Sequence, residues 1–145
     1  MDLDECNKKG LVKKIKIDGE LIKSLIEMAN INENTVNTAN IDEMNISSYV
    51  SLAYDSLREV LEAICVLNGY KVLSHICLGE LLKTLINDFD YNEFDRMRYA
   101  RNGINYYGVK VDFEQGKEMI RKIFAMKNKL AKKYLKEFLQ DDKEK

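Results

Sequence analysis

The stretch from Ser47 to Gly69, SSYVSLAYDSLREVLEAICVLNG, decides the fold. Tyr49, Leu52, Ala53, Leu57, Val60, Leu61 and Ile64 recur three or four residues apart, which places them on one face of an α-helix. Ser47 or Ser48 is in position to cap the first turn with its hydroxyl. Asn68-Gly69 ends the run, because glycine adopts the left-handed conformation that closes a helix without steric cost. A helix with so long an apolar stripe must bury it against other elements, and the flanking sequence reads as further amphipathic helices.

Upstream, Asp18 precedes Leu21, Ile22, Leu25, Ile26 and Met28, a helical pattern with a cap in front. The tract from Asn30 to Asn45 holds six asparagines at 30, 32, 34, 37, 40 and 45. Asparagine competes for backbone hydrogen bonds, so the tract is either a weak continuation of that helix or a loop, and its first part reads as helix. Downstream, Ser74 caps a helix carrying Leu78, Leu81, Leu82, Leu85 and Ile86. Asp90 and Glu93 have capping-box spacing ahead of Phe94, Met97, Arg101 and Ile104, with Gly108 as the stop. Asp112 opens a last helix with the stripe Met119, Ile120, Ile123, Phe124, Leu130, Ala131, Tyr134, Leu135 and Phe138. Val109-Lys110-Val111 is the one convincing strand-like alternation. The fold class is therefore all-α, an up-and-down antiparallel bundle of four to five helices. Residues 1–17, with the run Lys13, Lys14, Lys16, read as a loosely attached polar segment, 18–140 as a single domain and 141–145 as a frayed tail.

Composition narrows the function. The chain of 145 residues has one histidine, three cysteines, seven glycines and no proline. One histidine excludes a site built from two histidines of one chain, and no metal site or cofactor is expected. Net charge is −1, which argues against a broadly basic coat for nucleic acid but not against a local patch. Acidic residues follow Met1 and no apolar run has membrane-spanning length, so a cytoplasmic protein without a membrane segment is expected. Cys6, Cys65 and Cys77 lack a paired motif and read as structural thiols of a reducing compartment.

Three of the five arginines, Arg96, Arg98 and Arg101, fall within six residues, and they are the nucleic-acid-binding candidates. Helical spacing places Arg101 beside the apolar stripe, where a guanidinium requires a carboxylate, carbonyl or phosphate. Its partner is either an acid on a neighbouring helix or a bound phosphate. Tyr99, Tyr106 and Tyr107 suit a base-stacking patch or, better, a dimer seam. His75 reads as a capping or surface residue. Lys127, Lys129, Lys132, Lys133 and Lys136 read as the solvated face of the last helix.

The segment Arg101-Asn102-Gly103-Ile104-Asn105-Tyr106-Tyr107-Gly108 resembles the signature of HEPN domains (higher eukaryotes and prokaryotes nucleotide-binding). Leu57 to Ile64, Leu67 to Lys71 and Ser74-His75 resemble the second helix and turn of prokaryotic, especially archaeal, members. The pattern covers about 18–138, with specific motifs only in 57–75 and 101–108. The resemblance implies a helical bundle that forms a homodimer, often partnered by a minimal nucleotidyltransferase antitoxin. It also implies a metal-independent endoribonuclease acting on RNA at the dimer cleft. Carried over, Arg101 is the motif arginine and Asn102 its polar neighbour, while Tyr106 stands where the family keeps histidine. These three are the candidate catalytic residues. Tyrosine's ordinary pKa near 10 makes it a poor base at neutral pH, so the motif is degenerate and cleavage is expected to be weak or absent. Gly108 stands where some members carry a modified tyrosine. The alternatives are an active ribonuclease toxin using Arg101 and Asn102, or a purely structural bundle.

Overall fold

The computed structural model describes residues 1–139; the tail at 141–145 lies outside them. Six helices and one two-stranded ribbon follow in the order α1 (Leu3–Lys8), β1 (Val12–Lys14), α2 (Gly19–Thr38), α3 (Ile46–Leu67), β2 (Tyr70–Val72), α4 (His75–Leu85), α5 (Tyr91–Tyr107) and α6 (Phe113–Tyr134). The molecule is mostly helical, in keeping with the all-α class. No helix among the described residues is long and apolar enough to cross a membrane.

Helix α3 is the axis of the core. Val50, Ala53, Tyr54, Leu57, Val60, Leu61 and Ile64 are all buried, and α2, α4, α5 and α6 all pack on it. Its stop is as expected, with Gly69 at φ +85°. Its start differs: Asn45 takes the cap position without a side-chain capping bond to the helix, and Ser47 Oγ instead accepts from Val111 N at 2.8 Å, tying the turn after α5 to α3. The asparagine tract is helical to Thr38, because Ala29 and Val36 are buried and Asn32 Nδ2 donates to Glu59 Oε1 at 2.8 Å. Asp18, Ser74, Asp90 and Asp112 each cap their helices through the side chain, as the sequence indicates.

Four expectations are corrected. The first 17 residues are not loose: Cys6 and Val12 are buried, and Cys6 is disulfide-bonded to Cys77 on α4. Those two cysteines are therefore not thiols, whereas Cys65 is free and buried, its thiol pushed up to about 12 by burial. The β structure is not at Val109–Val111 but in β1 and β2, paired antiparallel with Val12 opposite Val72. Neither strand has the length to signal itself; a long-range pairing selects them. Lys127 is not on a solvated face. It is 2% exposed, and its Nζ donates to Glu33 Oε1 at 2.6 Å and Asn30 Oδ1 at 2.9 Å on α2.

Candidate functional site

The site forms where α5 crosses α3 near the start of α4. Helix α5 turns Phe94 and Met97 into the core and continues the same face with Arg101. The Arg101 side chain is only 14% exposed. Its guanidinium carbon lies 5.7 Å from the ring centres of both Tyr54 and Tyr106, so the cation sits between a buried and an exposed aromatic ring. Nη1 approaches the Tyr106 hydroxyl at 3.4 Å. With its amide turned to satisfy both neighbours, Asn105 accepts from Arg101 Nε at 3.1 Å and donates to Ser51 Oγ at 2.9 Å.

The nearest counter-charge is Asp55. Its Oδ1 lies 3.7 Å from Arg101 Nη2 and 3.8 Å from Arg58 Nε, inside ion-pair range but too far for a hydrogen bond, and that buried oxygen has no protein hydrogen-bond partner. Arg58 is held instead by Glu62 at 2.7 Å. Arg101 thus has the internal acidic partner foreseen as one of its two alternatives.

The sole histidine joins this cluster through Tyr54. Tyr54 Oη and His75 Nδ1 are 2.9 Å apart, and the two rings stack with centres 5.6 Å apart. Burial raises the Tyr54 phenol well above its ordinary range, so the phenol keeps its proton. The contact fits both neutral imidazole tautomers: the phenol donates to a bare Nδ1, or an Nδ1–H donates to the phenol oxygen. Burial, with Arg101, Arg58 and Arg98 adding repulsion, lowers the imidazole to about 4. His75 is therefore neutral at physiological pH.

The predicted residues are only partly brought together. Arg101 and Tyr106 meet, with Tyr106 68% exposed. Asn102 instead lines a groove of about 800 Å³ between α5, the 109–112 segment and α6, beside Arg98, Tyr107 and Lys110. Arg98 is paired with Asp95 at 2.8 Å, and Arg96 pairs with Glu93 toward a different depression lined by Glu114 and Glu118. The three arginines do not merge into one cationic surface. Sequence reasoning missed Tyr54, Asp55 and Asn105 and set His75 aside. The one available signal was a tyrosine and an aspartate interrupting the apolar stripe of α3 at 54 and 55. Among the described residues no group of histidine, cysteine or carboxylate side chains is arranged to hold a metal ion.

Compared with known proteins, the chain matches no family model, no curated protein and no solved structure.

Proposed function

We propose that this chain is a HEPN-like helical bundle, up-and-down and antiparallel, that works as a homodimeric interaction module with a degenerate ribonuclease motif. Its partner class is a minimal nucleotidyltransferase of the toxin–antitoxin type. One observation carries the loss of catalysis: the single histidine that could move a proton is bonded to Tyr54 and held neutral, while the exposed end of the site offers only the Tyr106 phenol. Cleavage through a ribose hydroxyl needs a base and an acid that exchange protons near neutral pH, and general acid–base catalysis contributes roughly 10²- to 10⁴-fold. Arg101, with Asp55 beside it, supplies charge but not proton transfer.

The test is incubation of purified protein with structured and single-stranded RNA in the presence of a chelator, with its mass in solution measured alongside. The expected result is a dimer that leaves RNA intact and co-purifies with a nucleotidyltransferase encoded beside it. Metal-independent cleavage that disappears in Arg101→Ala overturns this reading.

A second reading, an active metal-independent endoribonuclease using Arg101 and Asn102, is favoured by one observation: Tyr54 brings His75 into the electrostatic reach of Arg101. It requires that cleavage be lost in both Arg101→Ala and His75→Ala.

A further inference from the structure

The strand ribbon has a feature that folding alone does not favour. Lys13 of β1 stands directly opposite Lys71 of β2. Val12 and Val72, the adjacent pair, are buried, so alternation sends the two lysines to the outer face, where both are exposed. Like charges directly opposite across a ribbon are destabilising. Lys14 and Lys16 follow on the same chain segment, and Lys8 and Lys9 close α1 just before it; all four are exposed.

No acid interrupts the sequence from Cys6 to Ile17 or from Gly69 to Gly79. Among the described residues none of these six lysines takes part in an ion pair with a carboxylate within 4 Å; the ion-paired lysines there are Lys83, Lys117, Lys127 and Lys133. Of the acids nearby, Glu62 is bonded to Arg58, Asp18 caps α2 and Asp2 caps α1, while Asp4 and Glu5 lie exposed at the opposite end of α1 from Lys8 and Lys9. The Cys6–Cys77 bond and the β1–β2 pairing hold the two basic segments together, although they are more than fifty residues apart in sequence.

Aliphatic side chains border this charge. Leu73, which follows β2 and whose amide donates to Leu11 O at 2.8 Å, is 51% exposed, and Ile17, after Lys16, is 62% exposed. Ile76 in the first turn of α4 is also exposed. Single-stranded nucleic-acid surfaces combine cations with aromatic or arginine stacking platforms. The basic segments contain no arginine, and their aromatic rings, Tyr70 and His75, are half-buried, His75 stacked on Tyr54. Lysines beside exposed aliphatics are the combination that suits a bilayer surface, where headgroup phosphates take the cations and the acyl boundary takes the apolar tips.

We propose that the β1–β2 ribbon and the adjoining end of α1 form a docking surface for an anionic lipid bilayer. The contact is peripheral, made by lysines on headgroup phosphates with Leu73 and Ile17 at the acyl boundary. It is independent of the reading of Arg101 and His75.

Vesicle flotation tests it, using the intact disulfide-bonded chain with vesicles of phosphatidylcholine alone or of equal parts phosphatidylcholine and phosphatidylglycerol. The protein is expected to float with the anionic vesicles at low salt, to be released at high salt, and to ignore the neutral ones. Lys13→Gln with Lys71→Gln is expected to weaken binding about twenty-five-fold, at roughly fivefold per surface lysine. The thermal midpoint is expected to stay unchanged or rise, because the like-charge pair is gone. Leu73→Ser, which leaves every charge in place, is expected to weaken vesicle binding as well. Two results overturn the proposal. One is vesicle binding that the lysine pair and Leu73 do not affect. The other is the absence of vesicle binding, whether the ribbon instead shifts a single-stranded RNA in a lysine-dependent, Leu73-independent way or its lysines serve only to prevent edge-to-edge aggregation.

Discussion

Tyr54 and His75 meet at 2.9 Å between phenol oxygen and imidazole nitrogen, joining the centre of α3 to the first turn of α4 beneath the Arg101 guanidinium. This contact makes the only histidine of the chain a hydrogen-bonded part of the core. It also gives the protein a definite response to acid.

His75 is held at about 4 in the folded state, against an ordinary value of 6.5. Between those values the unfolded chain binds more protons at this residue than the folded one. Stability from His75 is therefore complete above about pH 6.5 and declines as pH falls toward 4. Glu59 and Glu62 act in the opposite sense, since burial raises both, and their protonation relieves the folded state as pH falls. Denaturant titrations of wild type and His75→Asn at pH 7 and pH 4.5 separate the two. The wild type is expected to lose on the order of 2 kcal/mol more than the variant, after allowance for the partial exposure of the ring.

Tyr54→Phe removes the hydroxyl and leaves Nδ1 of His75 without its hydrogen-bond partner. The loss is expected to be about 1–3 kcal/mol by chemical denaturation, the usual range for a part-buried partner left unsatisfied. The rings still pack, so the native near-ultraviolet spectrum is expected to persist.

The ion pair of Lys127 with Glu33 links the middle of α6 to α2 at 2.6 Å. Lys127→Met leaves Glu33 and Asn30 without their buried donor and is expected to cost about 3 kcal/mol or somewhat less, since Glu33 retains some solvent. The double variant Lys127→Met with Glu33→Leu is expected to recover much of that loss. A double-mutant cycle on urea midpoints measures the coupling.

The bond between Cys6 and Cys77 closes a sequence separation of 71 residues. Cys6→Ser with Cys77→Ser is expected to lower stability by about 4 kcal/mol on the loop-entropy estimate, with the N-terminal segment exchanging its amide hydrogens first. Alkylation of unreduced, denatured wild type is expected to label Cys65 alone.

The helices were legible because each carries both its period and its punctuation. Asp90 and Asp112, for example, lie three residues before the amides they cap, and Gly108 takes φ +65° at the stop. The ribbon was not legible, because three-residue strands have no period of their own. Val12 and Val72 become a pair only when α1 and α4 are joined. Lys127 was misplaced for a related reason: a lysine on an otherwise polar stretch of α6 signals solvent until α2 presents Glu33 and Asn30 to it. The site was half legible. The arginine concentration pointed to Arg101, but the residues that set its chemistry lie on other elements.

By itself the sequence determined an all-α chain, the capped starts of the helices after Asp18, Ser74, Asp90 and Asp112, and the absence of histidine at 106. These depend on local spacing and on the identity of single residues. Only the tertiary structure decided that Arg101 lies between Tyr54 and Tyr106 beside Asp55, that His75 is neutral, and that Lys13 faces Lys71. Charge state and pairing depend on burial and on neighbours far away in the chain, and neither is encoded in a local pattern.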